Sequence, residues 1–140
     1  GPGVKKNHRV PAFVYLQDIM PTTLDIAGAK KPDYVDYHSL LPLAKGDSRK
    51  SAYDAVYGGY MGTQRMIRDE RYKMIIYPVP NVVRLYDLET DPKEMKDLAS
   101  DVKYRPVMEN LFARFRKLQE EVGDPLDVRD YYEGFFRAKQ

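Results

Sequence analysis

Four short β-prone runs, crowded between residues 55 and 87, constrain this chain more than any other feature. Ala55 to Met61, Gln64 to Arg68, Tyr72 to Tyr77 and Val82 to Asp87 are rich in β-branched and aromatic residues. Only Gly62-Thr63, Asp69-Glu70-Arg71 and Pro78-Val79-Pro80-Asn81 separate them. Parallel strands need crossovers of about a dozen residues or more, so spacing this tight favours an antiparallel meander. Alternation along the second run puts Gln64, Met66 and Arg68 on one face, with Arg65 and Ile67 on the other. Gly58 and Gly59 inside the first run predict a bulge or a close backbone approach.

Such a sheet needs a cover for its apolar face. Val107, Leu111, Phe115, Leu118 and Val122 recur at steps of three or four, predicting a helix from about Pro106 to Val122 that Gly123 closes. Asp91-Pro92-Lys93-Glu94 carries an earlier helix-start signature, with Asp at the cap and Pro at the first position. One helix laid on one sheet gives an α+β unit. Beyond Pro125 the tail is aromatic, with Tyr131, Tyr132, Phe135 and Phe136, and is expected to dock on another surface.

Upstream the pattern differs. Residues 1–9 read as a surface loop. Val10 to Leu16 reads as a short strand or as an extended approach to a helix. Asp18 as a cap, Pro21 in a first turn and Gly28 as a stop then frame a short buried helix with Met20, Leu24 and Ala27 on one face. Residues 29–52, interrupted by Pro32, Pro42 and Gly46, read as a connection, and the boundary between two units is expected near residues 45–50. The domains are therefore placed at 1–50 and 51–140. The start, Gly1-Pro2-Gly3-Val4, has no initiator methionine and reads as the middle of a longer protein, although a Gly-Pro pair is also what some proteases leave behind.

Composition narrows the function classes. The 140 residues suit one compact domain, or a small domain plus part of another. A net charge of +2 is too small to point to nucleic acid or an anionic membrane. No apolar stretch approaches the roughly 18 residues of a membrane span. The chain has no cysteine, which excludes disulfides, thiolate metal sites and cysteine nucleophiles within it.

No self-contained active site is legible. Phosphate-cradling glycine loops and a nucleophile elbow are both missing. His8 and His38 stand 30 residues apart in loops, without partners at metal-ligand spacing. Asp18 and Asp25 lie two helical turns apart, as a cap and a solvated carboxylate or, less simply, as a catalytic pair. The denser cluster is basic and aromatic: Tyr57, Tyr60, Gln64, Arg65, Arg68, Arg71, Tyr72 and Lys73. Arginine suits bidentate recognition of sulfate, phosphate or carboxylate. The plainer reading pairs these arginines with Asp69, Glu70, Asp87 and Glu89 around the sheet edge.

Read in order, several segments resemble the closing third of a type I sulfatase of the alkaline-phosphatase superfamily. Gly1-Pro2-Gly3-Val4 resembles the family's turn after a core strand, and Asp18-Ile19-Met20-Pro21-Thr22-Thr23-Leu24-Asp25-Ile26-Ala27-Gly28 is similar to its D-x-x-P-T-x-L-D-x-A-G helix. Ser39-Leu40-Leu41-Pro42-Leu43 looks like its S-L-x-P-L segment, although Tyr37-His38 stands where glycine is usual. Arg65 through Ile75 resembles R-x-x-R-x-x-x-Y-K-L-I, while Leu85 through Glu94 resembles L-Y-D-L-x-x-D-P-x-E, followed by Asp97-Leu98-Ala99.

The resemblance implies an antiparallel four-stranded subdomain with a long C-terminal helix, preceded by the last strand and helix of an α/β core. It implies an enzyme hydrolysing sulfate esters, with a sulfated carbohydrate as the expected substrate class. The family's nucleophile is a formylglycine made within C/S-x-P-x-R, and its cation is usually Ca²⁺. No serine here sits in such a motif, so the resemblance puts no catalytic residue and no metal ligand in this chain. It puts Tyr60, Gln64 and Arg65 forward as substrate-binding residues, with Arg68, Tyr72 and Lys73 structural. The expected partners are the upstream catalytic core and the substrate, with self-association of the isolated chain; the expected location of the whole protein is periplasmic or secreted. Two other readings remain: a non-catalytic binding module, and part of a related phosphodiesterase or phosphatase.

Overall fold

The computed structural model describes residues 3–129 and 132, in two compact units that divide between Val56 and Tyr57. In the first, the backbone from Val10 to Tyr15 is irregular and leads through a 3-10 turn (Leu16–Asp18) into helix α1 (Ile19–Ile26). Of the two forms expected for this stretch, it takes the extended approach. A second helix, α2 (Leu41–Lys45), lies inside the segment read from sequence as a plain connection. Pro42 sits in its first turn and Gly46, at φ 82°, ends it in the left-handed region. Thr22 joins the two helices: its hydroxyl donates to the Asp18 carbonyl at 2.6 Å and accepts from the Leu40 amide at 2.8 Å.

Helix α1 departs from the expectation of burial. Only Pro21 is buried in it, while Met20 and Ala27 are exposed and Leu24 is half-buried. Leu16, Ile19 and Ile26 stand 80%, 54% and 70% exposed. The sequence is apolar enough for a buried helix, but the described residues supply nothing to cover it.

Asp18 departs too. It stands at the N-cap of α1 but makes no side-chain bond to that helix; its side chain closes the 3-10 turn before it, through the Tyr15 amide. Its carboxylate is wholly buried and accepts from the Tyr15 amide (2.7 Å), the His38 amide (3.1 Å) and the Tyr53 hydroxyl. Burial, then the neighbouring carboxylate, pushes the Tyr53 phenol well above its ordinary range. Ser51 donates to the Phe13 carbonyl at 2.6 Å, so residues just past the boundary expected near 45–50 fold with the first unit.

The second unit carries the meander, whose first strand opens on the boundary residue Val56: β1 (Val56–Tyr60), β2 (Gln64–Arg68), β3 (Tyr72–Tyr77) and β4 (Val82–Asp87), in the order β1-β2-β3-β4. The β2–β3 register pairs Arg65 with Ile76 and Ile67 with Met74; the β3–β4 register pairs Met74 with Leu85 and Ile76 with Val83. Alternation therefore gathers Ile67, Met74, Ile76, Val83 and Leu85 on one face, where all are buried. The β2–β3 turn is closed by Asp69, which accepts from the Arg71 and Tyr72 amides and from Arg114 on the C-terminal helix at 2.9 Å. Beyond β4 the chain turns back on that strand's outer edge. The Leu98 amide donates to the Leu85 carbonyl at 2.8 Å, and the Leu85 amide donates to the Asp97 carboxylate at 3.1 Å.

The start signature at Asp91-Pro92 makes a turn rather than a helix. Glu94 sits at φ 56° and the Asp91 carboxylate accepts from the Lys96 amide, which closes the loop, while exposed Met95 offers no apolar stripe to continue. The helix begins later. Asp101 caps a 3-10 turn (Val102–Tyr104) through the Lys103 amide, and α3 (Arg105–Glu121) follows.

Helix α3 packs against β2 and buries Met108, Leu111, Phe112 and Phe115. This face is rotated from the expected stripe: Val107 and Leu118 are half-buried and Val122 is 54% exposed. The buried position on the last turn is Gln119, whose side-chain amide donates to the Leu126 carbonyl at 2.6 Å. Of the aromatic tail, Tyr132 stacks on Phe112 with ring centroids 3.5 Å apart, and burial pushes its hydroxyl up to about 12. Tyr131, Phe135 and Phe136 lie outside the described residues.

Two predictions separate these contacts. Phe115→Ala should destabilise the protein by about 3–5 kcal/mol and Val122→Ala by about 0.5 kcal/mol or less, measured by urea unfolding. Asp18→Ala, which removes a wholly buried carboxylate from three part-buried donors, should cost about 3 kcal/mol and Tyr53→Phe about 1 kcal/mol, measured by thermal melts.

Candidate functional site

The turn between β1 and β2 carries the three residues expected to bind substrate. Tyr60 ends β1 and is 63% exposed, while Gln64 opens β2 and is half-buried. The turn is closed by the Thr63 amide, which donates to the Tyr60 carbonyl at 3.2 Å. Met61 takes φ 48°, in the left-handed region that side chains rarely adopt, and is also exposed.

Arg65 is placed differently from its two neighbours in sequence. It lies on the inner face of β2, and its guanidinium meets the Asp124 carboxylate through both Nε and Nη2. Nη1 donates to the carbonyls of Met61 at 2.5 Å and Gln64 at 2.8 Å. Four of the group's five N–H donors are thus engaged within the protein. The pair is secluded, with side chains 9% and 11% exposed. Asp124 also accepts from the Tyr57 hydroxyl and from the Leu126 amide at 3.0 Å.

These donors explain the electrostatics. The Arg65 guanidinium, aided by the Tyr57 hydroxyl against the cost of burial, holds the Asp124 carboxyl well below the usual carboxylate range. Burial and then Asp124 push the Tyr57 phenol upward, and Asp124 raises Arg65 further. The two glycines of β1 make this arrangement possible. A Cβ on Gly59 would lie 3.2 Å from Arg65 Cδ and Nε, and one on Gly58 would lie 3.0 Å from Met66 Cε. The expected close approach is therefore that of two β2 side chains lying across β1.

The other basic residues of the cluster are bound up in the fold. Arg71 pairs with Asp87 at 2.7 Å and with Glu89 at 3.2 Å, which holds buried Asp87 below its ordinary range. Lys73 meets Glu94 at 2.8 Å. Tyr72 lies edge-on to Tyr104, and Arg68 is exposed. Asp124 was invisible to sequence reasoning, which saw only a helix stop at Gly123. In the first unit, His38 lies edge-on to Tyr53, Asp25 is exposed, and His8 buries Nε2 without a hydrogen-bond partner among the described residues. A cavity of about 290 Å³ there is walled by Phe13, Asp18, Leu43 and Tyr53, and its polar groups are largely bonded to one another. No group of three or more His, Asp or Glu able to hold a metal occurs among the described residues, and no helix among them is long and apolar enough to cross a membrane. The β1–β2 turn offers an exposed phenol and a half-buried carboxamide beside a buried ion pair.

Comparison with known proteins places the chain in a family. Residues 2–121 match the family described as N-sulphoglucosamine sulphohydrolase, C-terminal. A Delta 4,5-hexuronate-2-O-sulfatase of Bacteroides thetaiotaomicron is 34% identical over 118 residues, which take in 77% of this chain and 24% of that protein. The structure of a 2-O GAG sulfatase superposes with a TM-score of 0.73 at 27% identity, over 94% of this chain and 32% of that one. A phosphonate monoester hydrolase from Silicibacter pomeroyi shares the fold, with a TM-score of 0.76 at 20% identity over 86% of this chain and 28% of that one. The chain thus spans about a fifth to a third of the length of curated sulfatases that it matches.

The pH dependence of the braced turn follows from its charges. Asp124 titrates lower in the folded protein than in the unfolded chain, so its stabilisation is complete above the ordinary carboxylate value of about 4. It is lost as pH falls from there toward the depressed folded value. The acid limb of a melting-temperature profile below about pH 4 should therefore be shallower in Asp124→Asn than in the wild type.

Proposed function

The chain belongs to the N-sulphoglucosamine sulphohydrolase C-terminal family, and from that membership we propose that it is the C-terminal part of a sulfatase hydrolysing sulfate esters of a sulfated carbohydrate. The family match over residues 2–121 carries the reading, and the likeness to a hexuronate sulfatase supports the substrate class. In this reading the chain contributes structure and substrate recognition rather than bond cleavage. Tyr60 offers an aromatic face and a hydroxyl, and Gln64 a carboxamide; both suit sugar hydroxyls and the oxygens of a sulfate group. Arg65 serves recognition through the turn it braces, because its guanidinium is already committed to Asp124 and two carbonyls.

The rest of the machinery belongs, in this reading, to an upstream catalytic core. Among the described residues no cluster fits a Ca²⁺ site, and no serine of the chain lies in the motif that yields formylglycine. The exposed apolar side chains of α1 and the preceding turn, Leu16, Ile19 and Ile26, are where that core would pack. Separated from it, the chain would self-associate through them. A periplasmic or secreted location goes with this substrate class, since sulfated polysaccharides are met outside the cytoplasm.

Sulfate release separates this reading from its rivals. The full-length protein should release sulfate from an aryl sulfate and from sulfated saccharides, and this chain alone should release none. Tyr60→Ala and Gln64→Ala in the full-length protein should each lower kcat/KM for the saccharide about tenfold, roughly 1.4 kcal/mol of transition-state binding. Hydrolysis of an aryl phosphate or phosphodiester, with no sulfate released from the aryl sulfate, would move the proposal to the phosphoryl branch of the superfamily. Sulfate release by this chain alone would overturn it.

A further inference from the structure

Resting on the reading of the β1–β2 turn as a substrate contact, we infer that Asp124 is a positioning residue for substrate recognition, setting through Arg65 the shape of the turn that carries Tyr60 and Gln64. The geometry runs in one direction, from the buried carboxylate to the exposed tip. Asp124 is held first, by the Tyr57 hydroxyl from β1 and by the Leu126 amide. Its two oxygens then engage Nε and Nη2 of Arg65, which fixes both the place and the plane of the guanidinium. Gly59 provides the seat, since a Cβ there would press on Arg65 Cδ and Nε at 3.2 Å.

So oriented, Nη1 reaches the carbonyls of Met61 at 2.5 Å and Gln64 at 2.8 Å. Those carbonyls flank the turn, and one rigid planar group bonded to both sets their separation. The turn has need of such a brace. Met61 is held at φ 48° where glycine or asparagine would sit without strain, and its exposed side chain gains nothing in the core. A hairpin that merely reverses the chain has no use for a strained, exposed Met beside an exposed Tyr over a buried ion pair. A hairpin that must present side chains at fixed positions does.

Asp124 lies 59 residues from Arg65 in sequence, just past the end of α3, so the shape of the recognition turn is set from the far end of the unit. Asp124 touches no substrate in this account. The consequence is selectivity: loosening the clamp lets Tyr60 and Gln64 wander and weakens the hold on the saccharide, while a small aryl sulfate makes little use of them.

The experiment compares Asp124→Asn, Tyr57→Phe, Gly59→Ala and Tyr60→Ala in the full-length protein. It measures kcat and KM for a sulfated disaccharide and for an aryl sulfate, together with hydrogen exchange at the Thr63 amide. Asp124→Asn should lower the disaccharide-to-aryl ratio of kcat/KM about tenfold, mainly through KM, and speed Thr63 exchange; Tyr57→Phe should do both more weakly. Should Asp124→Asn not accumulate as folded protein, Tyr57→Phe and Gly59→Ala carry the same test. A ratio lowered by Tyr60→Ala but unmoved by the clamp variants would overturn the positioning role and leave the substrate turn standing. A ratio unmoved by Tyr60→Ala would overturn the reading of the turn itself, and this inference with it. Parallel loss of activity on both substrates would assign Asp124 a purely structural part and also overturn the inference.

Discussion

A guanidinium and a carboxylate withdrawn together from water hold the second unit closed. Arg65 and Asp124 lie beneath the surface, and either one alone there would be an uncompensated charge costing several kcal/mol. The β2 strand and the segment that leaves α3 must therefore come together in one register or not at all. The phenol of Tyr57 extends the same contact to β1. Apolar burial supplies the bulk of the driving force, through Phe115, Ile67, Met74 and Leu85, but it is tolerant of small shifts. The bidentate pair is not. It converts a sheet covered by a helix into a unit with a defined hairpin tip, and at its far end it sets where the chain goes after Gly123, assisted by the bond from Gln119 to Leu126.

The meander was legible because its signals are local. Three of the four strands occupy the residues that alternation and turn composition marked out, and β1 falls one residue short of the expected run at each end. The face of α3 was legible only in part. Leu111 and Phe115 belong to the expected stripe and to the observed one, but around them two rows of similar spacing compete. One runs through Val107, Leu118 and Val122; the other runs through Met108, Phe112 and Gln119. Counting apolar residues favours the first, because the second contains a glutamine. The structure takes the second, because Gln119 finds a carbonyl at Leu126 and can be buried at little cost. At Asp91-Pro92 a local start signal was overruled by a left-handed Glu94, which no pattern of apolar residues announces.

Site residues divide along the same line. The grouping of Arg65 with Ile67 on one face follows from strand alternation. That Arg65 spends its donors on Asp124 does not, since no spacing rule links positions 65 and 124. Asp18 makes the same point in the first unit, where its partners come from positions 15, 38 and 53. Sequence reasoning placed it as a helix cap because capping is the nearest use for an aspartate before an apolar run. Long-range polar contacts of this kind are chosen by the assembled fold, and a single chain of letters carries no trace of them.

The turn-back of Asp97 and Leu98 onto β4 has a consequence for what else can join this sheet. At Leu85 the amide and the carbonyl that an added strand would use are already taken, by a side-chain oxygen and by a backbone amide of the same chain. The ladder is occupied there, in the middle of that flank. A further strand, whether from a neighbouring molecule in a crowded solution or from a misfolded copy, would meet the other flank at β1. There Gly58 and Gly59, short of side chains and crossed by Arg65 and Met66, make a poor template. The meander thus resists templated growth from both flanks, by occupation on one and by thinness on the other.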